Sequence, residues 1–504
     1  MSEGRTKKAV VNITFNLSNQ IVNLILAFIS RSVFIWGLGV SYLGINGLFS
    51  DVLGLLSLAD LGFNTAMVYS FYKPLAEKDY HKMAGLTTFY RKVYIIISIL
   101  VTCVGICIIP LLPYIINLKE DIPNLNVYYL LSLANIVFSY LCVYKTSILT
   151  ADQKAYKMTT VTMIINIIKT IIQIIAIVIW KDYVIYLVIG CISVLAINIV
   201  SSHIASRDYP FINEKVQLNL EEKRDIFKNI GSVFVYKMST VLVSTTDNIL
   251  ISIIIGTVAV GYYSNYLLIQ NKISLLYVLI FSSITASVGN LIVRENPQKR
   301  FEIFKCEQSL SFIVCGICTP CFILLVNDFI EIWLGEMFIL SNTVVIAIGL
   351  NMYLSCVLQP LWSYREATGI YRKTKWVMLI CAILNLILSF ILGEIIGLAG
   401  IIFATSIAKL LTYVWYEPKI LFKQYFGEKP RIYYIQIFFN MILTSSIVAV
   451  GAYIKSYFVV NSWSEWIIEA VIIGIACSFI VIIIYIKSEG VKLLVQKAKL
   501  FIKK

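Results

Sequence analysis

The sequence has little of what catalysis uses. It contains two histidines, His81 in a polar connection and His203 near the end of an apolar block, so an intramembrane acyltransferase relying on a buried imidazole base has no candidate. No GxxxxGK[ST] run occurs, and the polar connections are too short for a nucleotide-binding domain, which excludes a fused ATP-driven motor. Several connections shrink to two or three residues, as at 181–183 and 256–257. They leave no room for a folded external catalytic domain, nor for the sizeable external loop of a polytopic glycosyltransferase or polymerase. The closest cysteine group, Cys315, Cys318 and Cys321, lies inside an apolar block without a nearby histidine, and these residues read as small packing groups rather than metal ligands. The basic start of the chain runs into an asparagine-rich helix with no small-residue cleavage site, so no signal peptide is expected. Charge is scarce as well: 14% of residues are charged, against about 25% in soluble domains.

What the chain has instead is apolar length. Its 504 residues are 59% hydrophobic with a mean hydropathy of +0.84, and a helix needs about 20 mostly apolar residues to cross a bilayer. Fourteen blocks qualify, near 10–36, 42–72, 92–117, 126–149, 158–180, 184–205, 230–255, 258–289, 308–330, 338–364, 375–397, 399–418, 432–455 and 464–486. The expected fold class is an all-α polytopic membrane protein. Alternate connections differ sharply in charge: one set, with both termini, holds 34 of the 42 Lys and Arg, the other only Lys119, Lys181 and Lys455, and five lie within spans. The positive-inside rule then places both termini and the polar segment Ser206–Asn229 in the cytoplasm of a multi-pass protein of the cytoplasmic membrane. The same bias accounts for the net charge of +14 through topology and anionic headgroups, with no need for nucleic acid.

Spans 1–6 and 7–12 share a rhythm. Each half opens with a polar-marked helix and turns through a Gly/Tyr corner, Gly39–Asn46 in one and Val258–Asn265 in the other, into an unusually long block. Six spans is an even number, so the halves sit the same way up, related by an axis along the membrane normal. The expected organisation is an N-lobe over 1–205, a connection over 206–229, a C-lobe over 230–420, and two extra spans with a basic tail over 421–504. Two parallel six-helix lobes around a central cavity suit alternating access, and transport becomes the leading class.

Polar side chains inside the spans are the candidate site. Asn12, Asn16, Asn19, Asn23 and Ser30 fall on one face of span 1 with Arg31 to the side. Such a stripe must face protein or water, which leaves two readings, helix–helix hydrogen bonding or a cavity wall. Arg31, Lys169, Lys237, Lys272 and Lys409 are intramembrane bases, each costing at least about 2.5–3.5 kcal/mol at a helix centre unless paired or hydrated. Arg31 and Asp51 lie at similar depth and Asp247 and Lys272 flank one hairpin, so both pairs are open to local pairing, while Lys237 sits where it can snorkel. Lys169, with Asn166 and Gln173 at i−3 and i+4, and Lys409, between Thr405 and Thr412, have no carboxylate in an adjacent hairpin. Five bases stand against Asp51, Asp60 and Asp247, and a hydrated cavity of that sign attracts an anion, with amides and hydroxyls to suit sugars. The tyrosines read either as sugar-stacking rings or as interfacial belt residues.

Ser57-Leu-Ala-Asp60-Leu-Gly62-Phe63, Thr246-Asp247-Asn-Ile-Leu-Ile-Ser252 and Val260-Gly261-Tyr262-Tyr263-Ser264-Asn265 resemble the polysaccharide-repeat-unit (Wzx-type) flippases of the multidrug/oligosaccharidyl-lipid/polysaccharide exporter superfamily. The likeness covers most of the chain in hydropathy and span count and rests on loose motifs. It implies a non-enzymatic flippase that turns undecaprenyl-pyrophosphate-linked oligosaccharide across the membrane for capsule, exopolysaccharide or O-antigen-like synthesis. It also implies glycosyltransferases and a polymerase as partners, no cofactor, and a Na+ or H+ gradient as coupling source. Under it Arg31, Lys169, Lys237, Lys272, Lys409, Asn19 and Asn23 are substrate contacts, and Asp51, Asp60 and Asp247 coupling or charge-pairing residues, with Asp60 equally readable as a helix corner. A lipid II flippase or a cation-coupled drug exporter of the same superfamily is the alternative.

Overall fold

The computed structural model describes residues 2–57, 63–118 and 122–502. Among them there is no strand. Two compact units divide the chain, Met1–Gly261 and Tyr262–Lys504.

The first unit is built from α1 (Ser2–Leu38), α2 (Val40–Leu56), α3 (Phe63–Glu77), α4 (Tyr80–Ile108), α5 (Leu112–Ile115), α6 (Leu125–Ser139), α7 (Val143–Ala151), α8 (Ala155–Trp180), α9 (Tyr183–Asp208), α10 (Leu220–Ile254) and the start of α11 (Thr257–Arg294). Short links demand local capping. Asp182, in the two-residue link between α8 and α9, accepts hydrogen bonds from the backbone N–H of Val184 and Ile185 at 2.6 and 3.2 Å, answering orphan donors at the helix start. Glycines set how near the helices approach. A Cβ on Gly37 of α1 would stand 2.2 Å from Ile177 Cγ2 of α8, and one on Gly44 of α2 would stand 2.1 Å from the Thr257 carbonyl oxygen of α11. Both corners singled out in the sequence are thus close-packing points.

The polar segment after α9 is not a loose tether. Lys157 pairs with Asp208, Tyr209 donates to Asp152 at 2.6 Å and receives from Lys154 at 2.9 Å, and Lys82 of α4 meets Glu222 of α10 at 3.0 Å. Burial and the neighbouring Asp152 push the Tyr209 phenol up to about 12. Ile212 and Leu218 are buried beneath these contacts.

The second unit continues α11 and adds α12 (Pro297–Leu334), α13 (Asn342–Val357), α14 (Gln359–Thr368), α15 (Tyr371–Leu411), α16 (Tyr413–Leu421), α17 (Arg431–Lys455), α18 (Trp463–Tyr485) and α19 (Glu489–Ile502). Helix α12 is its centre, with α13, α17, α18 and α19 packed against it. Eight helices of the described residues are long and apolar enough to cross a membrane, ten when the pairs α6/α7 and α13/α14, bent by 48° and 44°, each count as one span. This is a multi-pass membrane protein. The fourteen spans read from the sequence are not reached by that measure. Helix α2 has 17 residues, α10 mixes charged and hydroxyl side chains into its length, and α15 holds two expected spans that meet at a break.

The fold in α15 is at Gly397, with φ 63° and ψ −141°. The helix doubles back there without a loop, and Gly400 comes so close that a Cβ would lie 2.0 Å from the Leu392 carbonyl oxygen. A Cβ on Gly397 itself would meet nothing within 4 Å, so only backbone strain opposes substitution. We expect Gly397→Ala to cost about 1–3 kcal/mol, read as a lower melting temperature of the purified protein. Gly474→Ala in α18, equally uncrowded and without a positive φ, should leave it unchanged.

Candidate functional site

Helix α1 shows which face is which. Ile21, Leu24, Ile25 and Ile29 are exposed on one side, while Asn19, Asn23, Ser30 and Arg31 are half-buried. Asn23 donates to Asn19 at 2.8 Å, so part of the stripe satisfies itself. The side chains of Asn12 and Asn16, and the whole of Asp60, lie outside the described residues. Arg31 is set electrostatically against Tyr186 of α9. Asp51 of α2 accepts a hydrogen bond from Asn248 of α10, next to Asp247.

Four helices of the first unit, α2, α6, α8 and α9, enclose a half-open cavity of about 210 Å³. Its polar lining is Asn46 and Ser50 from α2, Ser132 and Asn135 from α6, Lys169 and Gln173 from α8, and Tyr186 from α9. Lys169 and Gln173 share one face of α8, one turn apart, opposite the lipid-facing run of Ile164, Ile168, Ile171, Ile175 and Ile179. The scaffold behind the cavity is aromatic. Tyr183 packs against Phe34, Tyr42 and Tyr128 with ring centroids 4.9–5.9 Å apart and donates to Asn46 Oδ1 at 3.1 Å. Gln173 donates to the Tyr186 carbonyl at 2.9 Å. Gly190 keeps the floor open, since a Cβ there would stand 3.4 Å from Asn135 Nδ2.

The chemistry of this lining is one-sided. Ser50 and Ser132 spend their protons on the carbonyls of Asn46 and Tyr128, each at 2.8 Å. Among the described residues no carboxylate lines the cavity. The Lys169 ammonium has no hydrogen-bond or ion-pair partner among the described residues, and burial is the one influence acting on it. A cavity that offers an ammonium, amide groups and no negative charge is complementary to an anion with hydrogen-bonding groups around it.

The other bases sit elsewhere. Lys237 lies half-buried on α10 and Lys272 half-buried on α11. In the second unit Lys409 Nζ lies 3.5 Å from Asn351 Oδ1, at the edge of a hydrogen-bonded knot formed where α15 doubles back. Asn351 donates to the Ile402 carbonyl at 2.8 Å and Asn385 to Thr405 Oγ1 at 2.9 Å.

Two parts of the sequence reading need correction. The count of acids in the spans omits Asp328 of α12, which pairs with Lys455. Glu394 and Glu417, inside spans 375–397 and 399–418, are omitted too; Glu417 is 2% exposed, and Glu307, just before span 308–330, is 3% exposed. Arg365, in the connection between spans 338–364 and 375–397, is 7% exposed and donates to both oxygens of Glu417 at 3.0 and 3.2 Å. Short polar links between bent helices had hidden both partners. Some tyrosines, moreover, serve as core: Tyr90, Tyr94, Tyr129, Tyr183, Tyr266, Tyr277, Tyr353 and Tyr364 are fully buried, while Tyr69, Tyr72, Tyr80, Tyr114, Tyr453 and Tyr457 are exposed. Cys315 is also buried, its thiol donating to Asn440 Oδ1 at 3.3 Å.

The sequence matches the family model described as polysaccharide biosynthesis protein over residues 9–288, more than half of the chain. The chain belongs to this family. Among solved structures, the polysaccharide biosynthesis protein is similar to the lipid II flippase MurJ in an inward closed conformation, at TM-score 0.65 and 17% identity over 95% of this chain and 99% of that one. It is also similar to an inward-facing multidrug resistance MATE family transporter of the MOP superfamily, at TM-score 0.57 and 14% identity over 81% and 97% of the two chains. A MATE transporter from Vibrio cholerae matches at TM-score 0.54 and 14% identity over 84% and 99%. No match is found among curated proteins. The fold of this polysaccharide biosynthesis protein is therefore that of the MOP-type flippases and transporters. If the cavity is its working part, filling it should stop transport without unfolding the bundle. Gly190→Leu is expected to lower transport at least about tenfold, an effect of about 1.4 kcal/mol, with protein abundance in the membrane as the control.

Proposed function

We propose that this protein flips polyprenyl-pyrophosphate-linked oligosaccharide repeat units from the cytoplasmic to the outer leaflet, by alternating access. The observation that carries the reading is the Lys169 ammonium, without a partner among the described residues, in a polar cavity to which they contribute no carboxylate. A buried ammonium without a counter-charge costs about 2.5–3.5 kcal/mol or more at a helix centre, and an anionic cargo supplies what the protein withholds. Pyrophosphate provides the charge, and the glycan suits the amides of Asn46, Asn135 and Gln173. Membership of a polysaccharide biosynthesis family supports a glycan as the cargo. A drug exporter for cations is disfavoured, since a cation would meet Lys169 with no carboxylate to offset it. The charge bias of the connections supports a bacterial cytoplasmic membrane with both termini inside. In that setting a Na+ or H+ gradient drives the cycle, anionic lipids hold the basic connections, and glycosyltransferases and a polymerase work on either side of it.

A second reading, lipid II as cargo, is favoured by the likeness to MurJ and keeps the same anion chemistry. Complementation of a strain depleted of its lipid II flippase separates the two. In a strain that depends on this protein for surface polysaccharide, Lys169→Met should reduce export at least about tenfold and Lys169→Arg should retain most of it, at equal protein abundance. Export at the wild-type level by Lys169→Met would overturn the assignment.

A further inference from the structure

The ends of α12, α17 and α18 bring three charged side chains together. Lys455, the last residue of α17, pairs with Asp328 of α12 and donates to the Leu324 carbonyl. Its Nζ also lies 3.7 Å from Glu469 Oε1 on α18. The carboxyl groups of Glu469 and Asp328 thus meet at one ammonium. All three side chains are largely buried, at 13–21% exposure. Beside them a mostly apolar trough of about 510 Å³ runs between α17 and α18.

One ammonium cannot neutralise two carboxylates. The hydrogen bonds of Lys455 go to Asp328 and Leu324, and no donor among the described residues reaches either oxygen of Glu469. Leaving a carboxylate bare in such surroundings costs several kcal/mol. Either a cationic group from the trough or a proton can remove that cost. Both Glu469 oxygens are closed to solvent, which shuts out an ammonium headgroup but not a proton. A carboxyl group facing a carboxylate is the arrangement in which one proton serves two acids. The remaining charges nearby are engaged elsewhere. Glu465, one turn earlier on α18, accepts the backbone N–H of Asn461 and Ser462 at 2.8 and 3.2 Å, and Glu331, one turn on along α12, is exposed.

We propose that Glu469 and Asp328 form a proton-binding site, in which Glu469 carries the proton and donates it to Asp328 while Asp328 stays ionised against Lys455. The cluster is neutral with the proton and carries one net negative charge without it. The proton is exchanged with water at that end of the helices, and nothing is oxidised or reduced. Its loss leaves an unbalanced charge in the seams where α17 and α18 pack on α12, so the folded protein binds one proton more than the unfolded chain and loses stability as pH rises. The site lies in the second unit and does not rest on the Lys169 cavity, so either assignment can fail alone.

Infrared difference spectra of the full-length protein in lipid nanodiscs should show a protonated-carboxyl band at neutral pH that Glu469→Gln removes. The melting temperature of the wild type should fall between pH of about 5 and 9. Glu469→Gln should hold the wild-type acid-side value across that range. If Glu469→Gln does not fold, the band's titration in the wild type and its shift in Asp328→Asn give the same answer. A wild type without the band at neutral pH, or a Glu469→Gln protein that keeps both the band and the pH profile, would overturn the proposal.

Discussion

A charged side chain on a helix surrounded by hydrocarbon has to be answered, by an opposite charge, by hydrogen bonds or by water. That single constraint sorts the bases of this protein. Arg365 is answered twice over by Glu417, Lys455 by Asp328, and Lys154 by Asp152 and Tyr209. Each of these pairs ties two elements together, and breaking one partner away would strand the other charge at a cost of several kcal/mol. Lys169 departs from the pattern. Its helix makes the usual close contacts, yet its ammonium opens into a polar cavity where the described residues offer no counter-charge. Under the proposed function, this ammonium is left to be met by the cargo.

The same constraint acts on the backbone and decides how the helices approach. Helix packing in a membrane has no water-driven term and relies on close van der Waals contact. Small residues supply it here. Gly37 against Ile177, Gly44 against Thr257 and Gly105 against Leu133 each bring helices nearer than a Cβ would allow. Close approach of α1 to α8 and of α4 to α6 in turn fixes where the cavity walls stand. Buried tyrosines then fill the wider gaps, and Tyr129 donates its hydroxyl to the Gly105 carbonyl at 3.0 Å.

Class, polytopic helical fold and family were legible because they follow from one-dimensional quantities: block length, charge bias and short motifs. Lys169 and Gln173 were legible too, as polar residues one turn apart on an otherwise apolar helix. Their companions were not. Asn46, Ser50 and Asn135 sit on other helices, and only the glycine contacts and the tyrosine scaffold bring them to Lys169. Nor were the partners of Arg365 and Lys455 legible. Glu417 falls in a short helix after α15 that reads as the end of a span, and Glu469 looks like an isolated acid on the last span. Bends escaped for a related reason. Hydropathy sees α13 and α14 as one block, because a 44° bend changes direction without changing composition, whereas its two blocks at 375–397 and 399–418 do meet at the break beside Gly397.

What distinguishes an anion carrier from a cation exporter on a common fold is then a question of which charges are left over after internal pairing, rather than of net composition. The acids of the second unit are numerous enough to upset a simple tally of bases against acids, yet Glu417 is consumed by Arg365 and Asp328 by Lys455. Removing such pairs from the count leaves the first unit's cavity with a positive residue and a neutral wall. In a low-dielectric site the field of one uncompensated ammonium is strong at contact distance, so this residue biases what enters more than the +14 spread over the basic connections does. Those connection charges are screened by salt within about 10 Å. The charge to which the proposed function assigns cargo selection and the charges from which the positive-inside rule reads orientation are therefore separate sets, and a substitution in one need not disturb the other.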